Sequence, residues 1–126
     1  MEIVREELKL SREFANDARL LVEQNRFRSA ANRAYYSVFH AAKALLTSLG
    51  VDTKSHAGAI GKFGECVVKE GLLDKTYGKI LTRAANMRDK SDYQVIMDVD
   101  EIEVRDLVDN LGKFIDAVEN IIEKKS

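Results

Sequence analysis

The chain has 126 residues, no proline, no tryptophan and one cysteine, and its 33% of charged residues nearly cancel to a formal net charge of −1. The length suits one domain over residues 1–126, and the lone Cys66 excludes both an intramolecular disulfide and a cysteine-built zinc site. No apolar run approaches the roughly 20 residues of a membrane span and the start MEIVREELKL is no signal peptide, so a reducing, cytoplasmic setting without a membrane is expected.

Without proline the chain has few forced helix stops, and apolar residues recur at helical spacing almost throughout. A first helix is predicted over residues 2–24, with Ile3, Leu10, Phe14, Ala18 and Leu21 on its apolar side and Asn25 as a weak break. A second, over 26–49, holds Ala30, Ala34, Val38, Ala41, Ala42, Leu45 and Leu49 in one stripe and stops at Gly50. Ser55 is placed to cap a third helix running to about Glu70, with Gly71 closing it. Asp74 caps a fourth over 75–90, turning Tyr77, Ile80, Leu81 and Ala84 inward. The stretch from Lys90 to Val99 either extends that helix or forms a loop. Asp100 and Glu103 read as a capping box for a last helix carrying Val104, Leu107, Val108, Leu111, Ile115, Val118 and Ile122. Strand alternation is absent. The pattern predicts an all-α antiparallel bundle of about five helices.

Charge is distributed unevenly along the chain. Residues 26–62 carry six bases against Asp52 alone, residues 75–97 carry five bases against two acids, and residues 98–126 carry nine acids against four bases. The two basic segments either gather an anionic ligand or are solvated faces neutralised by the rest of the fold. The P-loop, dinucleotide fingerprint, nucleophile elbow and HExxH are all missing, and two histidines without clustered ligands predict no metal and no cofactor. Gly58 and Gly61 follow no strand and are read as positions of close helix packing.

One polar stripe on the second helix stands out: Arg33, Tyr36, Ser37, His40 and Lys43. Arg33 and His40 are seven residues apart, so they project in nearly the same direction about 10 Å apart along the axis. Arginine keeps its charge and offers a fork that fits phosphate oxygens, while histidine exchanges a proton near neutral pH. Together they suffice for metal-independent RNA cleavage. The imidazole would take a proton from a 2′-hydroxyl or give one to the leaving 5′-oxygen, and the guanidinium would neutralise charge at the phosphorus. Taken bare, a histidine bonded to backbone and a surface arginine explain the same pair.

The run SAANRAYYSVFHAAKALLTSLGVDTKSHAGAIGKF, with MRDKSDY downstream, resembles the HEPN (higher eukaryotes and prokaryotes nucleotide-binding) superfamily, and most of all its small stand-alone prokaryotic branch. The RAYYSVFHAAKALL block carries the likeness most specifically. The family hallmark is an arginine, four to six residues, then a histidine, which Arg33 and His40 match with six between them. The resemblance implies an all-helical bundle that pairs as a homodimer and takes RNA or a nucleotide. One implied function is a metal-independent endoribonuclease of toxin-antitoxin or defence type, with catalytic Arg33 and His40 at a dimer cleft. The alternative is a non-catalytic nucleotide- or RNA-binding subunit that partners a minimal nucleotidyltransferase encoded nearby. A helical module with no ligand is a third reading. Tyr36, Lys43 and His56 are the expected substrate contacts, and His56 is also a candidate second proton carrier. Arg88, Asp92 and Tyr93 are expected to brace the second helix through an ion pair and a hydrogen bond. Two positions depart from the family. Ala34 follows Arg33 where its ribonucleases usually carry a polar residue, and Ala42 stands where some toxins carry a tyrosine adenylylated by the partner.

Overall fold

Two long helices folded back on each other frame the molecule. The computed structural model describes residues 2–93 and 99–125, with the backbone alone for 90–93. Helix α1 (Glu2–Glu23) turns into α2 (Phe27–Ser48) through Asn25, which takes φ 60°. Asparagine is among the few residues that enter this left-handed region readily, which is why a break falls there.

Helix α2 lies at the centre and packs against α1 and all the later α-helices. Its alanines explain how one helix accepts so many neighbours. Ala30, Ala31, Ala34, Ala41, Ala42 and Ala44 are fully buried, and their small side chains let other helices approach from several directions. Against α1 the contact includes two buried hydroxyls. Ser11 Oγ donates to the Ser37 carbonyl at 2.6 Å, and Ser37 Oγ donates to the Ser11 carbonyl at 2.9 Å. The reciprocal pair satisfies both serines and pins the register of the two helices.

That register corrects two expectations. Ser37 points into the α1 contact and not into a polar groove. On α1 the inward row is Val4, Ser11, Ala15 and Ala18, whereas Ile3 is 68% and Leu10 37% exposed. At about 100° per residue, Ile3, Glu7, Leu10 and Phe14 form a strip along the edge of that inward row.

The remaining helices follow their caps. Helix α3 (His56–Phe63) starts at Ser55, whose Oγ accepts from the Gly58 N–H at 2.9 Å, and it continues into a π-helical turn, Gly64–Val68. A Cβ on Gly58 would stand 2.9 Å from that same Oγ, so this glycine makes room for the cap, and Gly61 faces open space. Neither is a packing glycine, contrary to expectation. Helix α4 (Lys75–Tyr93) begins where Asp74 Oδ1 accepts from the Thr76 N–H at 2.8 Å, and the helical alternative for the stretch after Lys90 holds as far as Tyr93.

The last predicted helix is two. Helix α5 (Glu101–Asp109) and α6 (Leu111–Lys125) meet at Asn110, whose N–H bonds back three residues to Leu107 O at 3.0 Å and whose Nδ2 donates to Asp106 O at 2.7 Å. This tightening interrupts the helix without turning the chain away. The result is an all-α bundle with six α-helices among the described residues. Among these, no helix is long and apolar enough to cross a membrane. Asp100 Oδ1 accepts from the N–H groups of Ile102 at 2.9 Å and Glu103 at 3.3 Å. Asp100→Ala is therefore expected to cost about 0.5–2 kcal/mol in urea unfolding, as loss of a helix cap does.

Candidate functional site

The antiparallel register of α1 and α2 determines which side chains meet. Glu7 and Phe14 are seven residues apart on α1, and Arg33 and His40 are seven apart on α2. Because the helices run in opposite directions, Glu7 comes to His40 and Phe14 comes to Arg33. Glu7 Oε2 lies 2.5 Å from His40 Nδ1, with the two side chains 18% and 19% exposed. An ionised carboxylate only accepts, so Nδ1 carries the donated proton and Nε2 is the nitrogen left for chemistry.

Phe14 serves both members of the α2 pair. Its ring stacks on His40 at 5.6 Å between centroids and 9° between planes, and Arg33 Cζ lies 5.8 Å from its centroid. Arg33 is exposed, with a long contact of 3.5 Å from Nη1 to Asn32 Oδ1. The Phe14 ring thus contacts both the guanidinium and the imidazole.

The cluster has a second imidazole. His56, the first residue of α3, stacks on Phe39 at 4.2 Å, and its Nδ1 lies 2.8 Å from Tyr35 Oη. Burial holds its pKa below the ordinary value, and the neighbouring charges of Arg88, His40 and Lys43 add to the effect. Tyr35 is buried, which pushes its phenol up to about 12 against the opposing pull of Arg88. Tyr36 is half-buried between the histidines, with ring centroids 6.5 Å from His40, 6.0 Å from His56 and 5.8 Å from Phe14.

Arg88 reaches this cluster from α4, its Cζ 5.2 Å from the Tyr35 ring and 5.6 Å from the Tyr36 ring. It braces α2 through these aromatic faces. The expected ion pair and hydrogen bond to Asp92 and Tyr93 lie outside the described residues. Lys43, expected at the substrate, donates from Nζ to the Thr53 carbonyl at 3.3 Å and ties α2 to the segment before α3. Arg33, Tyr36, His40 and His56 are therefore brought to one aromatic cluster, with Lys43 and Arg88 at its borders.

Sequence reasoning missed Glu7, Phe14 and the hydroxyl of Tyr35. The one signal for the first two was the matching seven-residue interval on the preceding helix. Nothing in the sequence marks Glu7 among the six acids of residues 1–25.

Comparison with known proteins extends over the same helices. A protein of Methanocaldococcus jannaschii named "Putative toxin MJ0605" is 35% identical over 125 residues, covering 96% of this chain and 92% of that protein. A UPF0332 protein of Thermotoga maritima is 35% identical over 113 residues, 90% of this chain and 86% of its own. Another UPF0332 protein, from Archaeoglobus fulgidus, is 31% identical over 117 residues, 93% of each. The family model described as HEPN domain matches residues 4–121, from the first turn of α1 into the last turns of α6, so this chain belongs to the HEPN domain family.

Proposed function

We propose that this chain is a metal-independent endoribonuclease of toxin type that works as a homodimer, with His40 as proton-transfer group and Arg33 as the partner of the phosphate. The observation that carries this reading is the Glu7–His40 pair, with His40 and Arg33 both in contact with the ring of Phe14. With Nδ1–H committed to Glu7, Nε2 has its lone pair for the 2′-hydroxyl proton, and the carboxylate stabilises the imidazolium that forms. Arg33 offers two parallel N–H groups to the non-bridging oxygens. The 2′-oxygen bonds to phosphorus and the bond to the 5′-oxygen breaks, giving a cyclic phosphate and a 5′-hydroxyl. The name "Putative toxin" borne by the Methanocaldococcus relative supports the toxin assignment.

Exposed Ile3 and Leu10 adjoin Phe14 on the edge of α1. Covering that apolar strip with a second copy would bring two Arg33/His40 pairs around one two-fold axis. The second His40, starting as the imidazolium with a proton on Nε2 as well, would then give that proton to the leaving 5′-oxygen. Purified protein is expected to cut RNA in the presence of a chelator and to show a solution mass of twice 14.2 kDa. Leu10→Glu is expected to return the mass to that of one chain. A folded wild-type chain that leaves RNA intact would remove the ribonuclease reading.

One observation favours the accessory-subunit reading. Ala34, next to Arg33, is fully buried and adds no polar group to the groove. On that reading the chain alone is inert and co-purifies with a minimal nucleotidyltransferase.

A further inference from the structure

The two imidazoles of the groove have Nδ1 partners of opposite character. Glu7 opposite His40 only accepts, so that ring is protonated at Nδ1. Tyr35 opposite His56 is a phenol that stays un-ionised near neutral pH, because burial raises its pKa to about 12. Its hydroxyl hydrogen needs an acceptor, since a buried unpaired donor costs free energy. Among the described residues the acceptor at hydrogen-bond distance is His56 Nδ1, at 2.8 Å. The phenol therefore donates, and the single proton of the neutral ring sits at Nε2.

The surroundings oppose a second proton on His56. Facing it from α2 are Tyr35, Tyr36, His40 and Lys43, and from α4 Arg88. The acid Asp89, also on α4, acts on Tyr35, while the charges that act on His56 itself are those of Arg88, His40 and Lys43. The cations and the burial act in the same direction. Stacking on Phe39 at 4.2 Å and the edge contact with Tyr36 hold the ring plane.

We infer that His56 is a neutral hydrogen-bond donor to a phosphate oxygen of the ligand through Nε2–H, held in that tautomer by Tyr35, while His40 alone transfers protons. The inference rests on the reading of this groove as an RNA site and revises the expectation that His56 is a second proton carrier. A ring that accepts at Nδ1 and is protonated at Nε2 has no lone pair to offer the 2′-hydroxyl. During cleavage the 2′ proton goes to Nε2 of His40, the O2′–P bond forms, and the P–O5′ bond breaks as the leaving 5′-oxygen takes a proton from Nε2 of the second copy's His40 imidazolium. The Nε2–H of His56 stays on its nitrogen and stabilises charge growing on the non-bridging oxygen. Tyr35 is a positioning residue, because it acts through His56 and not on the substrate.

Nitrogen-15 spectra of the imidazoles in the full chain test the tautomers directly. His56 is expected as the Nε2–H form and His40 as the Nδ1–H form, and Tyr35→Phe should abolish the preference of His56 while sparing His40. Wild-type His56 protonated at Nδ1 overturns the proposal. In RNA cleavage, His56→Ala is expected to slow turnover by about 10²-fold with the shape of the pH profile retained. His56→Gln should lose less than His56→Ala, because its amide nitrogen donates from nearly the same place. Loss of one limb of the profile in either variant would make His56 a proton carrier and sink the proposal. A 2′-deoxy oligonucleotide, which lacks the nucleophile, isolates binding: His56→Ala should bind it about tenfold more weakly at fixed salt. If the wild type fails to cut RNA, the ribonuclease reading falls by itself. Equal binding of the deoxy oligonucleotide by wild type and His56→Ala then overturns the role of His56 independently.

Discussion

Glu7→Gln is expected to slow RNA cleavage by about 10²- to 10⁴-fold while leaving the helical fold intact. The amide is the same size as the carboxylate, so packing against α2 is preserved. What changes is the partner at Nδ1. If the amide turns its NH₂ toward His40, Nδ1 must accept, the ring proton moves to Nε2 and the base is lost. If it turns its oxygen, the tautomer survives but the negative charge that stabilises the imidazolium is gone. His40→Ala should lose at least as much, and combining the two changes should cost little beyond His40→Ala alone, since both act through one ring. Initial rates in chelator, with circular dichroism as the check on folding, measure all three. A Glu7→Gln chain cutting at the wild-type rate would dismiss the pair as catalytic machinery.

Phe114→Ala is expected to remove about 3–5 kcal/mol of stability in urea unfolding. Phe114 belongs to α6 and is fully buried. Its ring stacks on Phe63 of α3 at 5.7 Å and tilts toward Tyr77 of α4 at 6.2 Å, so one side chain holds three helices together. Truncation leaves a cavity that the surrounding helices fill only partly. Against a total of about 5–15 kcal/mol for an ordinary domain, that is a large share. A loss below about 1 kcal/mol would mean that the helices close over the gap. Because α3 opens with His56 and ends at Phe63, the same variant should also loosen the Tyr35–His56 hydrogen bond, seen as a weakened tautomer preference.

The course of α2 was readable because its alanines recur at helical spacing and burial on several sides leaves little else to fit. Helix α1 was misread in detail. Ile3, Leu10 and Phe14 share a helical strip as core residues do, yet Ser11 takes the inward place because its hydroxyl finds a carbonyl on α2. The interruption at Asn110 carries no warning, since the apolar spacing continues across it. In the site, the pairing of Arg33 with His40 was visible because both lie on one helix. Glu7 was not, because which acid meets His40 depends on the register of two helices, and that register is set by the buried serines. Tyr35 is buried and packs in the core. The role of its hydroxyl emerges only when His56 folds back from across the segment that follows α2.

The helical hairpin has a consequence for synthesis. Glu7, Phe14, Arg33 and His40 all lie within its two helices, so all four are made before any later helix. A polypeptide emerging from the ribosome therefore holds both members of the carboxylate-backed imidazole before α4–α6 exist. The phenol-backed imidazole waits for α3. The order of translation thus separates the two rings in time, and the one proposed to move protons is made first.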